Sequence, residues 1–346
     1  MQRRRLIQAI ASAGLAGLAI ESTPVRAQAL EKPKLTVAVG GKNLLYYLPL
    51  TIAETQGYFK AEGLEVTIAD FAGGSRALQA LIGGSADITS GAFEHTINMQ
   101  VKGQRLRAFV LQGRAPQIVL GINTKTMPNF KSLAELKGRK LGVTAPGSST
   151  NILANFVLAK VGLKPGDVSI IGVGAGSGAV AAMRAGQIDA ISNLDPVITL
   201  LARSGDIRII SDTRVVAEAD KVFGGPMPAG CLYTQQSFLD KHPATAQALV
   251  NAIVRADKWI HNAGASDIIK AVPESYLLGD RAVYVDAFLA AKGALSADGM
   301  FPEGGAETAR RALASVDPEI AAAKIDLAAI WTNDYVLRAN AKYPKG

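Results

Sequence analysis

Two short stretches constrain this chain more than any other feature. ALQALIGGSADI (77–88) and AVAAMRAGQIDA (179–190) superpose without a gap, setting Ala77 on Ala179, Ala80 on Ala182, Leu81 on Met183, Gly84 on Gly186 and Asp87 on Asp189. Each reads as a short amphipathic helix, a helix-ending glycine and a strand entered through an aspartate. Glycines precede both copies, AGGS in one and GAGSG in the other. A unit used twice in matching contexts predicts a molecule with two similar halves.

The surrounding pattern agrees. LTVAVG (35–40), EVTIADF (65–71), ADITSG (86–91) and LRAFVLQG (106–113) read as strands separated by helical segments. The rhythm restarts with KLGVTA (140–145), VSIIGV (168–173), IDAISN (188–193) and IRIISD (207–212). Strands alternating with helices predict an α/β fold with mostly parallel sheets and helices on both faces. Beyond Cys231 the pattern is largely helical.

The first 29 residues read as an export signal, not as part of the fold. Arg3, Arg4 and Arg5 form a charged head, Leu6 to Ile20 a mild apolar segment, and Ala27-Gln28-Ala29 a small-x-small cleavage site. The apolar segment is shorter than the ~20 residues that span a bilayer. Arg3-Arg4-x-Leu6-Ile7 resembles a degenerate twin-arginine signal. Four of the 37 basic and one of the 29 acidic residues leave with it, taking the net charge from +8 to +5. Mild basicity with 6% aromatics and no Lys/Arg run argues against nucleic acid as a partner. Cys231 is the single cysteine, which excludes an internal disulfide and a cysteine-based metal site. A soluble periplasmic monomer is expected.

The pieces PLTIAETQGYFKAEGLEVTI, GGSRALQALIGGSADI, SLAELKGRKLGVTAPGSST, GAVAAMRAGQIDAISNLDP and CLYTQQSFLDKHPATAQALVNAIVRADKWI spread over Leu35 to Ile260. Together they resemble the exported solute-binding proteins of ABC importers for nitrate, taurine, aliphatic sulfonates and thiamine-pyrimidine precursors. The resemblance implies a periplasmic-binding-protein-like fold of type II, two α/β lobes joined by two hinge strands and closing like a clamp on a solute. It implies an inner-membrane ABC permease with its cytoplasmic ATPase as partners. APQIVLGIN (115–123) then reads as the outward crossing and AGCLYTQQ (229–236) as the return. Lobe one takes 34–117 plus 236–346, and lobe two takes 118–235.

In open α/β sheets ligands sit beyond the carboxyl ends of strands, where loops enter helices. Helix N-termini there carry free N–H groups and ~0.5 of a positive charge, so they hold anions. Five such turns are legible: GGKNLLYY with Lys42, Asn43 and Tyr46; AGGSR with Ser75 and Arg76; SGAFEH with Phe93 and Glu94; APGSSTN with Ser148, Ser149 and Thr150; and GVGAGSG with Gly174, Gly176 and Ser177. Arg114 before the hinge, and Asn193 and Asp195 at a strand end, complete the candidate set, with Asp195 also placed to cap the helix after Pro196. Arg76, Lys42 and Arg114 suit a sulfonate or carboxylate. Glu94 opposes an anion, so it either points away, pairs with Arg76 or Lys42, or recognises an amine or ring N–H.

IIGVGAGSGAVAAM (170–183) fits the G-x-G-x-x-A dinucleotide fingerprint. It lies deep in the second half of an exported chain, opens a helix of only about ten residues, and has a sister copy. No cofactor is therefore expected. His95, His242 and His261 form no catalytic or metal-ligand motif. The sequence leads to a non-enzymatic binder of a small organic anion of sulfonate, taurine, nitrate or aromatic carboxylate type. A pyrimidine-like or neutral aromatic solute, or an enzyme or sensor on the same scaffold, remains the alternative.

Overall fold

The structure is a computed structural model that describes residues 29–345. The expected export signal therefore lies outside the described residues apart from Ala29. Ten strands form two sheets: β1 Lys34–Val39, β2 Glu65–Asp70, β3 Ile88–Ala92, β4 Leu106–Leu111, β5 Val119–Asn123, β6 Lys140–Val143, β7 Ser169–Gly172, β8 Ala190–Asn193, β9 Ile207–Asp212 and β10 Gly230–Gln235. The first sheet has the order β2-β1-β3-β10-β4, the second β7-β6-β8-β5-β9. In each, the first three strands are parallel and the fourth runs antiparallel to both its neighbours. The sheets are thus mixed where the strand–helix rhythm predicted a mostly parallel arrangement. The reason is an exchange: β10, late in sequence, inserts between β3 and β4, and β5 inserts between β8 and β9.

The two copies occupy equivalent places. Helix Gly74–Ile82 runs into β3 and helix Ser177–Arg184 into β8. Gly84 and Gly186 both leave their helices with φ near +70°, the left-handed conformation that glycine adopts without a steric cost. One carboxylate oxygen of Asp87 accepts from the Thr36 amide at 3.0 Å, and one of Asp189 accepts from the Lys140 amide at 3.0 Å. Each aspartate thereby ties the start of its strand to the adjacent parallel strand. The motif read from sequence is a recurring hydrogen-bonded device.

Burial follows the layering. β3 (ITSGA) and β5 (VLGIN) are buried along their whole length, as strands covered on both faces must be. The 20-residue helix Pro243–Asn262 lies across the first-sheet half with Pro243 in its first turn. Glu31 caps it, its carboxylate accepting from the Ala244 and Thr245 amides at 3.0 Å each.

The chain passes between the sheets twice, at 112–118 and at 213–229. The passages are bonded together. Thr213 Oγ1 accepts from the Ile118 amide at 3.0 Å, and the Gln117 amide donates to the Thr213 carbonyl at 3.1 Å. The segment expected to be the return crossing, 229–236, is mostly β10, already paired within the first sheet. The passage back comes earlier, through helix Val216–Phe223 and the FGGPMPAG loop.

Candidate functional site

The glycine- and serine-rich turns of the two halves meet each other directly. Ser148 Oγ accepts from the Ser75 amide at 3.0 Å and lies 3.2 Å from Ser75 Oγ, which donates to the Pro146 carbonyl at 2.9 Å. The Asn43 amide nitrogen donates to the Ala175 carbonyl at 3.0 Å, and the Leu45 amide to the Asp195 carbonyl at 3.0 Å. Gly73 makes this approach possible: a Cβ there would lie 2.8 Å from Ala145 Cβ. Its φ of −178° is ordinary extended backbone, so glycine is required by the facing half rather than by local strain. These contacts form a seam of at least five hydrogen bonds between the halves.

Several candidates for anion binding are committed to the seam or to their own half. Lys42 pairs with Glu54 at 2.8 Å. Arg76 is exposed and donates to Gln79 Oε1 at 3.0 Å. Arg114 is exposed, its amide donating to the Ala294 carbonyl at 2.7 Å. Thr150 is fully buried, with Oγ1 beside the Thr144 amide and hydroxyl at 3.1 and 2.9 Å. Phe93 is a core residue against Phe301, ring centroids 5.6 Å apart. Gly174 accepts from the buried Asn193 amide at 3.1 Å, Gly176 precedes helix Ser177–Arg184, and Ser177 is exposed. Asp195 caps, as its position suggested: one oxygen accepts from the Thr199 amide at 2.8 Å, the other pairs with Arg214 at 3.1 Å. Arg214 reaches Asp212 as well, at 2.6 Å, and no sequence motif had singled it out.

Three candidates come together elsewhere. Tyr46, Glu94 and Ser149 line a cavity between the halves. Its other walls are Pro116 and Ile118 of the outward passage; Ile152, Leu153 and Phe156 of helix Ser149–Ala159; Phe223, Met227 and Ala229 of the return; and Ala312 and Leu313 of helix Gly305–Ala314. Phe156 and Phe223 stack across one side with centroids 5.0 Å apart. The space is narrow. About 390 Å³ is free of atoms, yet the centre of a water molecule can move through only about 20 Å³ of it. Space of that size holds about one water molecule, so a solute enters only as the walls part.

Glu94 gives the cavity its chemistry. It opens helix Glu94–Val101, a favourable place for negative charge, but is 5% exposed. Burial raises its carboxyl to about 7, with its own backbone amide pulling the other way. Among the described residues no Lys, Arg or His lies within ion-pair distance of it. The lining holds no basic side chain at all. Burial likewise pushes the Tyr46 hydroxyl well up, so it stays a neutral hydrogen-bonding group. His95 does not reach the cavity: its Nδ1 lies 3.0 Å from Tyr233 Oη, and burial lowers it to about 4, leaving it neutral. Cys231 is buried within β10.

The apolar walls carried no legible signal. Ile152, Leu153 and Phe156 follow the helical period of an ordinary core face, and Ala312 and Leu313 lie nearly two hundred residues from the nearest candidate in their half.

Residues 28–272 match the model of the NMT1-like family. A protein of Bacillus subtilis named as a binding protein, YtlA, is 25% identical over 245 residues, 67% of this chain and 68% of the relative. The Schizosaccharomyces pombe 4-amino-5-hydroxymethyl-2-methylpyrimidine phosphate synthase is 29% identical over 142 residues, 41% of this chain and 40% of that one. A solved structure from Bordetella bronchiseptica RB50 is 64% identical and superposes with a TM-score of 0.91, covering 92% of this chain and 100% of its own. The alkanesulfonate-binding protein SsuA of Xanthomonas axonopodis pv. citri shares the fold at 19% identity, with a TM-score of 0.66 over 88% of this chain and 99% of that one.

Proposed function

The chain belongs to the NMT1-like family and has the periplasmic-binding-protein fold, and from that premise we propose that it is an exported solute receptor which hands its cargo to an ABC permease. Residues 112–118 and 213–229 would serve as hinges between two lobes, and the cavity would form when the lobes close. The solute is small and largely apolar, and it presents an N–H group or a positive charge to Glu94. An aromatic or pyrimidine-like amine has this chemistry.

One observation carries the reading: the single carboxylate in an apolar cavity, without a cation beside it. A buried, unpaired carboxylate stays partly protonated because charge is costly there. A cationic partner removes that cost, whereas a sulfonate would compound it. Lys42, Arg76 and Arg114, the groups that suited an anion, are turned to other partners or to solvent. That weighs against the sulfonate, taurine, nitrate and aromatic carboxylate solutes to which the sequence led, and for the pyrimidine-like alternative. Binding is favoured over catalysis because, although the lining holds Glu94 as a possible base and the Tyr46 and Ser149 hydroxyls, no hydrogen bond among the described residues joins either hydroxyl to the carboxylate to make an activated nucleophile.

Benzylamine, an aminopyrimidine, benzenesulfonate and taurine separate the possibilities in a thermal-unfolding screen. A ligand that binds only the folded state raises the melting temperature as its concentration passes Kd. The amines should stabilise the protein and the sulfonates should not. Stabilisation by the sulfonates alone would overturn the proposed solute class and leave the receptor reading intact.

A further inference from the structure

A second, separate groove lies at the far end of the first sheet. Gln100, Arg105, Leu106, Arg107, Gln236, Lys324, Asp326 and Ala329 enclose about 560 Å³, a size common among small-molecule sites. β4 starts there at Leu106 and ends at Leu111, where the outward passage begins. The groove is therefore about 16 Å along the strand from the passage, at ~3.3 Å per residue.

Its charge is uneven and its frame is built. Arg105, Arg107 and Lys324 line it, and among the described residues none of them forms an ion pair. Arg107 Nε donates to the Trp331 carbonyl at 3.1 Å, which orients the guanidinium and leaves both terminal amino groups uncommitted. Gln100 clamps the opposite wall from both sides: its amide nitrogen donates to the Asp326 carbonyl at 3.0 Å, and its oxygen accepts from the Asp326 amide at 2.7 Å.

The acids nearby accept hydrogen bonds from neutral donors. Asp326, the one carboxylate on the wall, accepts from the Ala328 amide at 3.1 Å within its own turn. Asp240 accepts from the Gln236 side chain at 2.8 Å. The lining thus sets three cations against one carboxylate, an excess of two positive charges. This arrangement is the inverse of the cavity between the halves, which has a carboxylate and no cation.

We propose that this groove is a binding site for a phosphate-type oxyanion, outside the solute cavity and independent of it. A guanidinium held by its Nε presents two parallel N–H groups that match two oxygens of a tetrahedral anion. Arg105 and Lys324 supply further charge from opposite walls, and the two glutamine amides bound the groove. The chemistry fits free phosphate and the headgroup of an anionic phospholipid alike. In the second case the site would hold the protein against a membrane surface.

The test has two arms. In one, inorganic phosphate and pyrophosphate are titrated calorimetrically into the protein, with sodium chloride at matched ionic strength as the control. In the other, the protein is sedimented with phosphatidylglycerol vesicles and with phosphatidylcholine vesicles. Binding is expected in at least one arm, and which arm identifies the source. Arg105→Glu and Lys324→Glu, both at exposed positions that leave the core untouched, should each weaken it by about tenfold. Lys131→Glu makes the same charge change at an exposed site on the other half and should leave binding unchanged. No binding in either arm would overturn the proposal. So would equal weakening by all three reversals, because that would reveal only the field of the whole protein.

Discussion

The seam and the cavity lie side by side between the same two halves, and they differ in kind. The seam is made of small residues whose polar groups satisfy one another: Ser75 with Ser148 and Pro146, Asn43 with Ala175, Leu45 with Asp195. The cavity is apolar, with one carboxylate left for a guest. Helix N-terminal turns that look from sequence like grips for an anion here grip the opposite lobe. Their polarity is spent on closure. On the proposed function, selectivity falls to the residues around Glu94, most of them ordinary apolar side chains.

The largest expected effect is at the seam. Gly73→Val places side-chain atoms where Ala145 stands and should keep the halves apart. Affinity falls by the factor with which the closed state is depopulated, ~100-fold or more, while the extended backbone lets the first half fold normally. Small-angle scattering should then show an expanded particle that solute fails to compact. Next is Glu94→Gln, which keeps the shape and removes the charge. Loss of a buried charge-assisted contact costs about 2 kcal/mol or more, roughly thirtyfold in Kd for an amine.

Ser148→Ala removes the hydroxyl that accepts from the Ser75 amide. It should weaken binding by only about fivefold, the worth of about 1 kcal/mol of closure. Smallest is Lys42→Met. Lys42 answers Glu54 and not the cavity, so solute affinity should stay unchanged in calorimetry. A large loss there would put the anion grip back at the seam.

Glu94 also leaves a mark on stability. Its carboxyl titrates at about 7 when folded and near the ordinary 4.5 when unfolded. Between those values the folded chain holds the extra proton on Glu94, so this group's contribution to stability is fully present below about 4.5 and is lost as pH rises towards about 7. Buried His95, lowered to about 4, contributes the opposite slope over much of this range, so in urea unfolding the wild type should lose more stability with rising pH, or gain less, than Glu94→Gln.

The fold was legible because its signals are local and repeated. The duplicated helix–glycine–strand unit, with Asp87 and Asp189 in the same role, announces two related sheets before any contact is known. The insertion of β10 into the first sheet was not legible, because a strand's neighbours depend on where the chain returns and not on its own residues. The site was half legible. Glu94, Tyr46 and Ser149 stand at turns whose position in an α/β sheet predicts access to the cleft, but Phe156 and Leu313 look like any core residue. The partners of Lys42 and Arg76 were not legible, because a cation's partner is a three-dimensional fact: Lys42 pairs with Glu54 on helix Leu48–Thr55, and Arg76 bonds Gln79 one turn along its own helix.

The most direct measurement is calorimetric titration of benzylamine and benzenesulfonate, two rings that differ in the charge of their head group, into the wild-type protein and into Glu94→Gln at pH 8, where Glu94 is ionised. The wild type should prefer the amine, and the preference should collapse in the variant. Tighter binding of the sulfonate by the wild type, unchanged by the substitution, would contradict the proposed solute class.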